Sequence, residues 1–315
     1  MNPKPVALPR PPRAEAAALA VLAAAGSSQQ KLQDLLHHRE ALSYQLAQAD
    51  AEIEYLAFDL CGSTDDTQDV ETYDGTLGVS RDFVAQHEPP VGQLQWSENL
   101  FNLFDGSNDS PGNVAGVRWG SGGLIANDLF ITAGHCFDRE PAGWQCPRRN
   151  GAIIPEAEIA TLMQVNFNYQ LNGATGEIRP GSPFPVAQLL EYRRANVDYA
   201  IIRLGRNASG ELPGEVFGTL RLAAQDLTQV GIMLCLLQHP SGRPKQIEAG
   251  PMKQNAAGRI FYDSLDTEGG SSGSPILSPS GEIVGIHTNG GCSEFSGANY
   301  GATIGAVRSA SSIVS

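Results

Sequence analysis

The run Glu268-Gly269-Gly270-Ser271-Ser272-Gly273-Ser274-Pro275 sets a serine between close glycines. An attacking hydroxyl on a tight turn needs such neighbours. Small residues let a substrate carbonyl approach, and backbone N–H groups of the turn can point at the oxyanion that forms. Gly/Ser clusters also build ordinary loops, so Ser272 reads as a nucleophile only if partners exist elsewhere. An attacking serine requires a base to take its proton, and the base requires a carboxylate to orient it. Among six histidines, His135 lies in Thr132-Ala133-Gly134-His135-Cys136, directly after the strand-like Leu129-Phe130-Ile131. Asp198 precedes Tyr199-Ala200-Ile201-Ile202-Arg203-Leu204, at the mouth of another strand.

Both runs belong to a texture that begins near residue 113. Short stretches of Val, Ile, Leu, Phe and Tyr alternate with Gly, Pro, Asn and Asp turns, as in Gly123-Leu124-Ile125, Asn127-Asp128 and Leu129-Phe130-Ile131. Further strand-like stretches fall at 159–167, 231–237, 260–262 and 282–287. Such spacing predicts an all-β sandwich or a pair of barrels.

Residues 132–136 resemble the histidine motif of the chymotrypsin-like serine proteases, residues 198–204 their aspartate motif, and residues 270–275 their serine motif. The order also agrees, with roughly 60 to 75 residues between successive members. The resemblance covers residues 113–315. It implies a mostly β domain of two packed six-stranded antiparallel barrels. It makes Ser272 the nucleophile, His135 the general base and Asp198 its orienting carboxylate. The N–H groups of Gly270 and Ser272 would form the oxyanion hole.

The serine motif departs from the trypsin pattern. Ser271 stands where trypsin-type zymogens carry the aspartate that receives a new α-amino group, and a neutral hydroxyl cannot do that. Gly120 occupies the place of a family cysteine, which leaves Cys136 without its usual partner. The form Gly-x-Ser-Gly-Ser-Pro, with Ile283-Val284-Gly285-Ile286-His287 downstream, is similar to the glutamyl endopeptidase branch. There a threonine five residues before the serine and a histidine fifteen after it line a pocket for an acidic side chain. Thr267 and His287 hold those positions. A hydroxyl and an imidazole N–H can bind a carboxylate, which would raise the histidine pKa. Against this, Asp266 lies where trypsin-like enzymes select Arg or Lys, and Glu268 is close by. Preference for Glu or Asp is therefore expected, with Arg or Lys as the alternative. The resemblance also places Thr288 near Asp198, and the backbone of Asn289 and Gly290 beside an extended substrate. His239-Pro240-Ser241-Gly242-Arg243-Pro244-Lys245 reads as a structural loop.

Bulk properties bound the rest. The 315 residues suffice for a sizeable core, and 35 glycines suit a loop-rich protein. A net charge of -13 argues against nucleic acid as the main partner. The expected partner is a protein or peptide substrate. Five cysteines are too few for a dense disulfide framework, and with no C-x-x-C pair a zinc site is not expected. No other metal and no cofactor is expected. Cys136 and Cys146 are close enough to be bridged across a loop, and equally well placed as free buried thiols.

Residues 1–58 read as an extension. It has a Pro-rich start over 1–13, an Ala-rich helix over 14–25, and a helix over 29–58. The last carries an apolar seam of Leu32, Leu35, Leu42, Leu46, Ala49, Ile53 and Leu56. That seam packs on its own chain or serves a partner or self-association, and in the partner case the alternative to an active peptidase is an inactive protease scaffold that binds through this helix. Lys4, Arg10 and Arg13 ahead of residues 16–25 outline a signal peptide. Glu15 and five preceding prolines oppose it, which favours a cytoplasmic location over a secreted one. No stretch approaches the roughly 20 apolar residues that cross a bilayer. Residues 59–112, with Asp65, Asp66, Asp69, Glu71 and Asp74, read as a linker or prosegment.

Overall fold

The computed structural model describes residues 60–141, 143–194, 197–293 and 296–314, together with Leu35. The chain divides into units Met1–Asp50 and Ala51–Ser315. Apart from Leu35, all described residues belong to the second. The helices expected over 14–25 and 29–58 and the Pro-rich start lie outside the described residues, again apart from Leu35. No helix among the described residues is long and apolar enough to cross a membrane.

Six antiparallel strands close into a barrel in the order Val91–Trp96, Arg118–Leu124, Leu129–Thr132, Tyr199–Leu204, Ser182–Arg193 and Met163–Phe167. The adjacent strands Leu129–Thr132 and Tyr199–Leu204 explain the unbroken apolar runs of the sequence. Side chains alternate across a strand. Phe130, Ala200 and Ile202 point into the barrel core with Leu94, Trp96, Phe167 and Phe184. Ile131, Tyr199 and Ile201 join a second core with Leu236, Ile276 and Ile286. Both strands are covered on both faces up to Arg203, the one exposed position of the two, whose guanidinium pairs with Asp128.

The second core is wrapped by an eight-stranded sheet in the order Gln68–Asp69, Gln246–Pro251, Met233–Gln238, Pro275–Leu277, Ile283–Asn289, Asn299–Thr303, Arg259–Tyr262 and Gln254–Ala256. This corrects the expectation of two closed six-stranded barrels. Gln68–Asp69 takes the edge of Gln246–Pro251, while Gln254–Ala256 ends the other side on Arg259–Tyr262. Two short strands therefore occupy the edges that closure would have joined.

The structure also corrects the reading of 59–112 as a linker. Val91–Trp96 is a barrel strand buried along its whole length. Gln68–Asp69 belongs to the second sheet, and Cys61 forms a disulfide with Cys292. The acidic residues that looked like a solvated run are in part engaged. Glu71 pairs with Arg179, and Asp65 turns onto the amide of Thr67. Cys136 and Cys146 are both free and buried rather than bridged.

Candidate active site

Register brings the first two candidate residues together. Thr132 pairs with Ala200 across the antiparallel strands, so the chain leaving one strand lies beside the chain entering the other. His135 sits in the short helical turn Gly134–Phe137, just past the first strand, and Asp198 immediately precedes the second. The amide of His135 donates to Asp198 Oδ1 at 3.0 Å, and its Nδ1 lies 2.8 Å from Asp198 Oδ2. Gly134 permits this approach. A Cβ there would lie 2.2 Å from the Arg193 carbonyl and 2.9 Å from Asp198 Oδ1.

Ser272 arrives from the other core. It lies in the loop before Pro275–Leu277, and its Oγ lies 2.6 Å from His135 Nε2. The barrel strand Arg118–Leu124 holds this loop in place. Ser121 N donates to the Ser272 carbonyl at 2.8 Å, and Ser121 Oγ to the Gly270 carbonyl at 2.8 Å. Gly120 lets the strand come this close, because a Cβ would meet Cys136 Sγ at 2.9 Å and the Ser272 carbonyl at 3.1 Å.

The turn before Ser272 is braced on several sides. Ser271, fully buried, accepts the Glu268 amide on its Oγ at 3.0 Å and donates its own amide to the Glu268 carbonyl at 2.9 Å. The Glu268 carboxylate binds Arg243 at 2.5 Å and the Ser241 hydroxyl. Ser241 adopts a left-handed backbone, φ 48° and ψ 30°, which aims its amide at the Gly269 carbonyl, 2.5 Å away. A trans peptide directs its N–H opposite to its C=O. With the Gly269 carbonyl turned towards Ser241, the N–H of Gly270 points to the opposite side. The Ser271 carbonyl accepts from Ser274 N, which orients the N–H of Ser272 in the same manner.

The loop containing Ser241 is itself internal. His239 is fully buried, with Nδ1 3.1 Å from the Arg243 carbonyl, and burial followed by the charge of Lys245 holds its pKa well below the usual value. Lys245 Nζ is buried against Glu88, at 2.6 Å from Oε2 and 2.7 Å from the carbonyl. The two cations of this loop, Arg243 and Lys245, are each paired with a glutamate of the same chain.

Burial pushes the Asp198 carboxyl up, but the hydrogen bonds and charge of His135 and the charge of Arg194 outweigh it. The net result is a carboxyl below its ordinary range. Arg194 was not singled out by sequence. Its Nη1 donates to Asp198 Oδ2 at 2.7 Å and its Nε to Asp138 Oδ1 at 2.9 Å. Its four-residue spacing from Asp198 is the one sequence signal. Thr288, expected near Asp198, is buried and directs its hydroxyl at the Tyr300 carbonyl, 3.5 Å away. The strand pairing shifts register between His287 and Asn289.

Thr267 and His287 are both buried and both bound by residues the sequence did not flag. Asn299 Nδ2 donates to Thr267 Oγ1 at 3.0 Å, and His287 Nδ1 lies 2.5 Å from the Tyr262 hydroxyl. Burial, then the neighbouring His135, lowers the His287 pKa to about 3, with Asp198 opposing. The imidazole is therefore neutral at ordinary pH. Gly290 is half-buried just beyond the strand Ile283–Asn289. Asp266 keeps other company. Its Oδ1 accepts the Cys61 amide at 2.6 Å, and its side chain gathers with Asp65 and Glu248. Burial raises its pKa to about 6.

The geometry thus holds a hydroxyl, an imidazole and a carboxylate in series, on a turn whose Gly269 and Ser271 carbonyls are engaged by other amides. Such a set can activate a nucleophile. The chain matches the trypsin-like peptidase domain over residues 116–286. The glutamyl endopeptidase of Staphylococcus aureus (strain MW2) is 30% identical over 124 residues, which are 38% of this chain and 37% of that protein. The glutamyl endopeptidase of Staphylococcus epidermidis is 24% identical over 168 residues, 48% of this chain and 57% of that one. The matched stretch thus spans little more than a third of the S. aureus relative. A solved structure of a Glu endopeptidase in complex with MPD aligns with a TM-score of 0.47 and 16% identity, over 79% of this chain and 96% of that one.

Proposed function

The chain belongs to the trypsin-like peptidase family, and from that premise we propose that it is a serine endopeptidase cutting after acidic side chains. The observation that carries the chemistry is the relay of Ser272 Oγ, His135 and Asp198 at 2.6 and 2.8 Å. In this reading Ser272 Oγ attacks the scissile carbonyl while His135 Nε2 takes its proton. Asp198 keeps the imidazole proton on Nδ1 and stabilises the imidazolium. The N–H groups of Gly270 and Ser272 bind the oxyanion. His135 returns the proton to the leaving amine, and water then hydrolyses the acyl-enzyme by the same route. Fluorophosphonate labelling and cleavage of a peptide library test this reading. No labelling together with no cleavage would overturn it.

The bracing of the oxyanion turn supports activity without a newly freed amino-terminus. Ser271, Glu268, Ser241 and Arg243 hold the turn through their own bonds. The position that would receive an ammonium is filled by a hydroxyl already engaged with the Glu268 amide. Gly270 tests the turn itself. Its φ is +97°, and a Cβ there would meet the His239 carbonyl at 2.6 Å. Gly270→Ala is expected to lower kcat by about 10²–10³-fold through the displaced oxyanion donor. KM should change little. Steady-state kinetics normalised to the folded fraction in a thermal melt would check this, and an unchanged kcat would remove Gly270 from the oxyanion hole.

Specificity rests on Thr267 and His287, supported by the name of the Staphylococcus relatives. If the Tyr262 hydroxyl donates to His287 Nδ1, the ring proton sits on Nε2 and is available to a substrate carboxylate. An arriving carboxylate would raise the depressed His287 pKa, and any charging of the buried ring would draw on the binding energy that the carboxylate supplies. The strand end at Asn289 and Gly290 offers backbone to an extended peptide. Tyr262→Phe is expected to lower kcat/KM for Glu substrates by about 10-fold, the scale of one hydrogen bond to a charged group, while Gln substrates change little. Paired Glu and Gln peptides read this directly. Preferred cleavage after Arg or Lys would overturn the acidic assignment.

A further inference from the structure

We propose that Asp65, Glu248 and Asp266 form a binding site for a divalent cation of the calcium class. The three carboxylates come from separate stretches: the segment after Cys61, the strand Gln246–Pro251, and the residue preceding Thr267. One oxygen from each lies within 4.8 Å of the others. Glu248 is fully buried, and neither of its carboxylate oxygens makes a well-formed hydrogen bond, the Asp266 amide being the donor close by. A buried, unsatisfied carboxyl is costly unless a proton or a cation joins it.

Protein cations do not fill this role. Arg243 Nη2 stands 3.8 Å from Asp65 Oδ2 and is held by Glu268 at 2.5 Å, and among the described residues no ion pair is formed by Glu248 or Asp266. The amide donors at the cluster are Cys61 N and the Asp66 amide on Asp266, Thr67 N on Asp65 Oδ1, and the Asp266 amide beside Glu248. The all-oxygen donor set selects a hard cation. Oxygens sharing one Ca²⁺ at 2.3–2.6 Å lie no more than about 5 Å apart, a limit these three meet, and its flexible shell does not demand the near-ideal octahedron that Mg²⁺ does. Asp65 is exposed, so water can complete the coordination shell.

The consequence is structural and reaches the specificity residues. A cation would tie the segment 61–69 to the second sheet alongside the Cys61–Cys292 disulfide. It would also fix Asp266, whose neighbour Thr267 is held by Asn299. This proposal is independent of the peptidase reading.

The test is a titration of CaCl₂ into chelator-washed full-length protein, followed by calorimetry and by thermal melting. A saturating excess of Ca²⁺ is expected to raise Tm by about 5 °C, with equal Mg²⁺ giving a smaller shift. Asp65→Asn, an exposed change that leaves the core intact, is expected to weaken Ca²⁺ binding at least about 10-fold, and Glu248→Gln likewise. The proposal is overturned if wild-type protein shows neither heat nor a Tm shift up to about 10 mM CaCl₂. It is equally overturned if both variants keep the full response. A rise in the Tm of Glu248→Gln without any Ca²⁺ response in the wild type would assign the cluster to carboxyls sharing protons.

Discussion

Ser272→Ala is expected to lower kcat/KM by about 10⁴–10⁶-fold and to abolish fluorophosphonate labelling. The substitution removes Oγ alone, the atom 2.6 Å from His135 Nε2. The surrounding turn keeps its supports, because Ser121 N binds the Ser272 carbonyl and the proposed oxyanion donors are main-chain groups. Ser272 has an ordinary negative φ, so alanine fits its backbone without strain. The loss at the upper end corresponds to about 8 kcal/mol of transition-state stabilisation. Some catalysis over water should survive in the variant, supplied by the oxyanion donors and by substrate binding. Thermal melting within about 1 °C of wild type would separate lost chemistry from lost folding. Equal labelling of both proteins would move the nucleophile elsewhere and sink the mechanism.

The parts of this site that were legible in sequence are the parts written locally. Residues 132–136, 198–204 and 270–275 each carry their own turn glycines or strand, and each is short enough to be read alone. What the sequence concealed depends on partners far along the chain. Val91–Trp96 contains Gln93 and Gln95, which look like solvent-facing residues and are both buried. Gln93 Nε2 donates to the Gly242 carbonyl, and Gln95 binds the Gly116 carbonyl and Asn166. A polar residue satisfied by a distant loop is indistinguishable in sequence from one facing water. The Cys61–Cys292 disulfide joins residues 231 apart and has no spacing signal. Tyr262 and Asn299, which hold His287 and Thr267, sit on neighbouring strands paired residue to residue, a fact that only register supplies. The open second sheet was likewise hidden, since its edge strand Gln68–Asp69 is two residues long and lies in an acidic run.

Asp198→Asn is expected to lower kcat by about 10⁴-fold with KM little changed, because it reverses the hydrogen-bond sense at His135. The wild-type carboxylate accepts on both oxygens. Oδ1 takes the His135 amide, and Oδ2 lies against His135 Nδ1 and Arg194 Nη1. Asparagine supplies one acceptor and one donor. Its oxygen will stay on the His135 main-chain amide, which is held in place by the turn Gly134–Phe137. Its NH₂ then faces His135 Nδ1 and the Arg194 guanidinium. Nδ1 must accept, so the ring proton moves to Nε2, opposite Ser272 Oγ. An Nε2–H cannot take the serine proton, and the nucleophile loses its base while its position is kept. The alternative flip returns an acceptor to Nδ1 but sets the amide NH₂ against the main-chain N–H of His135. Arg194 sharpens the expectation, since in the first arrangement it faces a donor and in the wild type an acceptor. Kinetics on a Glu peptide, with fluorophosphonate labelling rates measured in parallel, would check the result. The two rates should fall together. A loss of less than about 10-fold in both would show that Asp198 does not set the tautomer of His135.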